Sequence, residues 1–276
     1  SFGIVAAIPT ARAKVPAFVW ISYSPRSMRN EQVEDTLVSR GYALVQYRID
    51  QYAPDFGEFA PERADWRDRN VFACYRQPDD WGAIAAWAWG ASRVLDWIAE
   101  EPRLDATKAA IVGLSRGGKT ALWAGVTDTR FAMAVPFGSG RTGMMLNHIK
   151  TPFPTETIGL INQQPHWFTP WYKSLHDREF ETTFDHHQLA ACLAPRLLFV
   201  CEGTGDMSRY GDWYSLALAS PAWGLYGLKG LEPGPMPEVA RPAWADGQGF
   251  FIRFGPHAVL EEDWKAVLDF ADRRLK

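Results

Sequence analysis

The chain has 276 residues, 47% of them apolar and 14% aromatic, with a net charge of −3 and an isoelectric point near 6.1. That is ample for a buried core, and it offers no basic field to a nucleic acid. No apolar run reaches about 18 residues, so no membrane span is expected.

Taken in chain order, the sequence opens on "SFGIVAAIPT", which is neither a signal peptide nor a starting methionine, so a processed or trimmed start is expected. "AFVWIS" (17–22) and "ALVQYRI" (43–49) read as strands, with the helical "NEQVEDTLVSRG" between them. A helix over 81–101 carries Trp81, Trp87, Trp89 and Trp97, and its aromatics are expected to be buried against a sheet. It ends at Pro102 and leads to a strand, "AAIVGL" (109–114), and a helix, "GKTALWAGVTD". "AMAVPF" (132–137), "RLLFVCE" (196–202) and "FFIRFG" (250–255) are further strands, and "LEEDWKAVLDFADRRL" is a closing helix. Strands alternating with helices predict an α/β protein with a mostly parallel central sheet between helical layers, here one domain over 1–276. The Pro- and Gly-rich 228–244 reads as a surface loop within it. Cys74, Cys192 and Cys201 form no C-x-x-C pair and signal neither a disulfide framework nor a zinc site. Cys192 and Cys201 flank "LLFV" and are expected to be buried small hydrophobes.

"GLSRGGKT" (113–120) fits two motifs. As G-x-x-x-x-G-K-[ST] it is a phosphate-binding loop, which normally follows the first strand of its domain. Here about three strands come first. As G-x-S-x-G it is a nucleophile elbow, a serine on a sharp strand-to-helix turn with small residues at the flanking positions. Gly113 and Gly117 hold those positions, and Gly118, Ala121, Ala124 and Gly125 would let the helix lie close to the sheet. An elbow also requires an acid and then a histidine downstream. Glu202 and Asp206 follow the "LLFV" strand, and His257 lies between the last strand and the last helix. Ser115 would be the nucleophile, His257 its base, and one of the two acids would fix the imidazole tautomer. The N–H of Arg116 is a natural oxyanion donor.

"GLSRGGKTALWAGVTDTRFA" resembles the G-x-S-R-x-G-K elbow and following helix of glucuronoyl esterases. These are carbohydrate esterases of the α/β-hydrolase fold that cleave the ester between glucuronic acid on xylan and lignin alcohols. "DDWGAIAAWAWGASRVLDWI", "INQQPHWF", "FDHHQLAACLAPRLLFV" and "GPHAVLEEDWKAVLDF" are similar to bacterial members, so the likeness runs from about residue 35 to the end. The resemblance implies an acyl-enzyme on Ser115, water activation by His257, and an Arg116 guanidinium that joins its own N–H at the oxyanion. It also implies that Lys119 binds sugar hydroxyls and that Glu156 binds substrate. Trp167 falls in a family block, where either packing or ligand contact would suit it. The expected partner is a glucuronoxylan ester, with no cofactor, no metal, no nucleic acid and no membrane, for a monomer that is secreted or periplasmic.

Two positions depart from that pattern. Many members carry the catalytic glutamate where "VPFGSG" has Gly138, whereas others carry an acid after the next strand, which Asp206 resembles. Asp206 is therefore expected to be the triad acid, with Glu202 as fallback. A sugar-facing tryptophan often follows that acid by two residues, where this chain has Ser208. These departures leave room for an esterase of altered specificity, such as an acetyl-xylan type, or for a non-catalytic carbohydrate-binding relative. His186 and His187 beside Asp185 read as structural rather than as metal ligands, because adjacent side chains on a helix diverge. His148, His166 and His176 have no partner at ligand spacing.

Overall fold

The structure is a computed structural model that describes residues 2–11, 13–23, 31–53, 55, 81–149, 164 and 166–276. Its strands are β1 (Ile4–Ala7), β2 (Val15–Ser22), β3 (Ala43–Arg48), β4 (Leu104–Leu114), β5 (Met133–Phe137), β6 (Leu197–Gly203), β7 (Ala243–Trp244) and β8 (Gln248–Arg253). The helices are α1 (Glu31–Ser39), α2 (Ala83–Glu100), α3 (Arg116–Thr127), α4 (Pro170–Lys173), α5 (His186–Ala191), α6 (Arg209–Ala219), α7 (Pro221–Gly224) and α8 (Glu261–Ala271). Among the described residues the strands join in one sheet in the order β1-β3-β2-β4-β5-β6-β8-β7. Only the edge strands β1 and β7 pair antiparallel. The protein thus has the α/β-hydrolase architecture.

The inner strands are apolar on both sides because helices cover both faces of the sheet. Successive residues alternate between the two cores. Ala17, Val19, Ile21, Ala109, Ile111, Leu198 and Val200 face α2, α3 and α6. Phe18, Ala110, Val112, Leu197, Phe199 and Cys201 face α1 and α8. Trp87 of α2 is fully buried, and Trp81, Trp89 and Trp97 pack partly buried against the same core. Cys201 is buried as expected, but Cys192 is exposed at the end of α5, because the chain has left the helix there and has not yet entered β6. Cys74 lies outside the described residues. The edge strands β1 and β7 were not expected from the sequence.

The chain runs outward from β2 to β3, returns to β4 on the other side of β2, and then proceeds through β5, β6 and β8. The direction of winding therefore reverses between β2 and β4. In parallel α/β sheets, the crevice beyond the strand C-termini at such a point is where ligands bind. Tyr23 and Ser115 follow the two strands at that reversal.

Candidate active site

Ser115 joins β4 to α3 with φ 58° and ψ −122°, a left-handed backbone that costs an L residue on the order of 1–3 kcal/mol. The turn closes because the motif glycines face each other. A Cβ on Gly113 would come within 2.3 Å of the Gly117 carbonyl oxygen, and one on Gly117 within 2.8 Å of the Tyr23 hydroxyl. The Ser115 N–H donates to the Phe137 carbonyl at 2.9 Å, and the Gly117 N–H donates to the Tyr23 hydroxyl at 3.0 Å. The expected small residues on α3, Gly118, Ala121, Ala124 and Gly125, are all buried. Ser115 is half-buried.

The phosphate-loop reading fails on its own two residues. Lys119 turns inward, 3% exposed, and donates from Nζ to the carbonyls of Ser139 at 2.5 Å and Arg141 at 2.8 Å. Thr120, which would have to hold magnesium, is fully buried and donates to the Arg116 carbonyl at 2.8 Å. Lys119 thus fastens the loop after β5. His186 and Asp185 fasten the same loop farther along. Asp185 accepts the N–H groups of Asn147 (2.7 Å) and His148 (2.9 Å), and His186 Nδ1 bonds the Gly143 carbonyl at 2.6 Å. Burial lowers the His186 pKa to about 4, so its neutral ring is a structural strut. Among the described residues no group of three His, Cys, Asp or Glu side chains is set to hold a metal ion.

Asp206 and His257 meet above the ends of β6 and β8. Asp206 Oδ1 lies 2.5 Å from His257 Nδ1, and its Oδ2 accepts the Gly203 N–H at 2.5 Å. Asp206 is 7% exposed, and the His257 side chain is 44% exposed. The two loops are laced together by Gly205 N–H to the Gly255 carbonyl (2.9 Å) and Gly255 N–H to Thr204 Oγ1 (3.0 Å). Arg253, at the end of β8, completes the support. Its Nε meets Asp263 of α8 at 2.6 Å with both side chains buried, and its Nη2 donates to the carbonyls of Pro256 and Ala258 on either side of His257.

Glu202, the fallback acid, does not reach His257. It sits inside β6, 2% exposed, and accepts from Ser208 Oγ at 3.5 Å. Burial first, and then the neighbouring Asp212 and Asp206, push its pKa well above the usual carboxylate range. Ser208 is buried, with its hydroxyl on Glu202. Gly138 has φ +47°, and a Cβ there would lie 2.8 Å from His257 Cε1, 2.9 Å from Nδ1 and 3.5 Å from Asp206 Oδ1. The imidazole and the aspartate occupy the space that a side chain on β5 would need. Because Gly138 follows Phe137, the acceptor of the Ser115 N–H, the imidazole lies over the strand next to the elbow.

Arg116 lies between two aromatic rings, with its guanidinium carbon 5.3 Å from the Tyr23 ring centroid and 5.2 Å from that of Trp167. Its Nη1 meets Asp55 Oδ2 at 2.5 Å. Its Nε is buried and has no partner among the described residues, an open donor one residue from Ser115. Trp167 is 8% exposed and donates Nε1 to Asp55 Oδ1 at 3.3 Å. Beyond it lies a cavity of about 530 Å³ walled by Trp81, Trp123, Trp167, Phe168, Trp171 and Tyr172. Glu156 lies outside the described residues. Asp55, Tyr23 and His166 were missed as site residues. Only the position of His166 in the "PHWF" block hinted at any of them.

A model of the fungal glucuronyl esterase family matches residues 1–229. The carbohydrate esterase MZ0003 of an unknown prokaryotic organism is 31% identical over 248 residues, which cover 86% of this chain and 55% of that protein. The 4-O-methyl-glucuronoyl methylesterase of Hypocrea jecorina is 30% identical over 200 residues, covering 68% of this chain and 42% of that one. The chain therefore spans about half the length of the curated relatives it matches. Among solved structures, the glucuronoyl esterase from Solibacter usitatus superposes with a TM-score of 0.86 at 32% identity, over 98% of this chain and 76% of that one. With an elbow serine, an adjoining Asp–His pair and this degree of likeness, the chain belongs to the glucuronoyl esterase family.

Proposed function

We propose that the protein is a serine carboxylic-ester hydrolase that cleaves 4-O-methyl-glucuronoyl esters linking xylan to lignin alcohols. The observation that carries this reading is the 2.5 Å contact between His257 Nδ1 and Asp206 Oδ1 beside a strained elbow serine. With its Nδ1 proton held by the aspartate, the imidazole presents an Nε2 lone pair as base. Ser115 Oγ gives its proton to Nε2 and attacks the C6 carbonyl. The oxyanion forms opposite the Arg116 N–H and the open Nε of the same residue. His257 returns the proton to the departing alcohol oxygen, leaving a glucuronoyl ester on Ser115. Water, deprotonated by His257, then releases the uronic acid and restores the serine.

Lys119 and Glu156 are the proposed sugar contacts, and Lys119 also braces the loop after β5. Trp167 serves this reading chiefly as a wall for Arg116. We read 1–276 as one domain, monomeric and working without a cofactor outside the cell or in the periplasm. Among the described residues no helix is long and apolar enough to cross a membrane.

The test is hydrolysis of benzyl glucuronate beside an acetylated xyloside, using the purified chain. Turnover of the uronate ester is expected. Turnover of the acetyl ester alone would make the chain an acetyl esterase, and turnover of neither would make it a binding protein.

A further inference from the structure

Arg116 would bring its guanidinium to the oxyanion on a long, flexible side chain. A guanidinium free to swing would lose much of its value as an oxyanion donor, because preorganisation is what makes such donors effective. The surrounding contacts remove that freedom. Tyr23 and Trp167 flank the guanidinium, and Asp55 takes Nη1. Asp55 is itself held from two sides, by His166 Nε2 at 3.0 Å and Trp167 Nε1 at 3.3 Å, both on Oδ1.

The support continues into the core through α2. The N–H groups of Ala83 and Ile84, at the start of that helix, donate to the carbonyls of His166 (2.8 Å) and Trp167 (3.4 Å). A Cβ on Gly82 would lie 2.2 Å from the Trp167 carbonyl oxygen, so the approach leaves no slack. One turn on, Trp87 donates Nε1 to the carbonyl of Ala53 at 2.9 Å, two residues before Asp55. The segment that carries Asp55 and the segment that holds it are thus tied to one rigid helix.

We propose that Asp55 is a positioning residue for the esterase reaction, fixing the Arg116 guanidinium so that its Nε–Nη2 edge is turned to the oxyanion. This inference rests on the assignment of Arg116 to the oxyanion given above. Two effects of Asp55 oppose each other. Its negative charge weakens the field of Arg116 at the oxyanion, whereas its hydrogen bond fixes the direction of the donors. Orientation prevails, because a misplacement of about 1 Å can cost about 10²-fold in rate, whereas the guanidinium stays fully charged whether or not it is paired. Burial would raise the Asp55 pKa, but hydrogen bonds from His166, Trp167 and Arg116 and the arginine's charge outweigh it and leave it lowered. The carboxylate is therefore ionised at neutral pH.

The experiment is a double-mutant cycle on benzyl glucuronate with Asp55→Asn, Arg116→Gln and the double variant, and with Trp167→Phe as a second probe that removes the Nε1 donor and trims the ring flanking Arg116. Thermal unfolding is measured on each. Asp55→Asn is expected to lower kcat about 10–100-fold with KM nearly unchanged, because the oxyanion exists only in the transition state. Arg116→Gln is expected to lose about 10²–10³-fold, and adding Asp55→Asn to it should cost little more. Trp167→Phe should give a smaller loss of the same kind. A normal or raised kcat in Asp55→Asn, or losses that multiply in the double variant, would overturn the inference and leave Arg116 in its role. An Arg116→Gln enzyme with normal kcat would instead remove the oxyanion assignment, and the inference with it.

Discussion

Replacing Gly138 by alanine tests the crowding around His257. The added Cβ would stand 2.8 Å from Cε1 and 2.9 Å from Nδ1 of the imidazole, about 0.6 Å inside the 3.4 Å at which ordinary contact begins. The ring cannot yield toward Asp206, whose Oδ1 is already 2.5 Å from Nδ1. It must therefore tilt away from Gly138, which moves Nε2 from its present place. A shift of this order is expected to lower kcat about 10–100-fold, given that about 1 Å can cost about 10²-fold. Alanine at φ +47° adds a backbone penalty of roughly 1–2 kcal/mol, which should lower Tm by about 2–8 °C in a chain of this size. The assay is initial-rate hydrolysis of benzyl glucuronate together with thermal unfolding. A variant with lowered Tm but full kcat would refute the reasoning, because it would mean that the imidazole does not work from where it now stands.

Asp206→Asn should lose on the order of 10³–10⁴ in kcat, because the amide favours the wrong imidazole tautomer. Glu202→Gln should keep kcat within about threefold, because Glu202 does not reach His257 and its burial favours the neutral form, which the amide copies. Above about pH 4.5, an unfolded Glu202 ionises while the folded one does not, so its burial becomes a growing stability cost as pH rises. The Tm of Glu202→Gln should therefore gain on the wild type from that pH upward, and a gap that shrinks would contradict the assignment. Lys119→Met should lower the Tm of the ligand-free protein, because two buried carbonyls lose their donor at roughly 1–3 kcal/mol each. An unchanged Tm would leave only the sugar role. Arg253→Met should cost about 3–5 kcal/mol by stranding buried Asp263, and kcat should fall as the His257 loop loses its carbonyl clamps.

Much of this site was legible because it follows the strands. Ser115 and His257 each come after an apolar run with a clear period, and parallel pairing brings those ends to one edge of the sheet. Asp206 was separable from Glu202 only by likeness to relatives. In space the difference is simple: Glu202 belongs to the buried strand itself, whereas the Gly203–Thr204–Gly205 turn carries Asp206 back over Gly203 and out to the histidine. Gly138 read as a missing acid, but the sequence held no sign that the imidazole fills its space. The Asp55 support was illegible, because its partners lie 61 residues away at Arg116 and 111 residues away at His166, on segments with no shared period. The short edge strands β1 and β7, of four and two residues, carry too little pattern to be found. The helix α6, "RYGDWYSLALA", was not among the expected elements, and the glycine at its third position weakens its helical signal.

In the proposed reaction Ser115, driven by the Asp206–His257 pair, hydrolyses a uronate ester. The measurement that tests it most directly is the steady-state rate on benzyl glucuronate for the purified 276-residue chain beside its Ser115→Ala variant. The expected result is turnover by the wild type and none above background by a variant that melts at the same temperature. Turnover that survives Ser115→Ala, or a folded wild type that releases no benzyl alcohol, would contradict it.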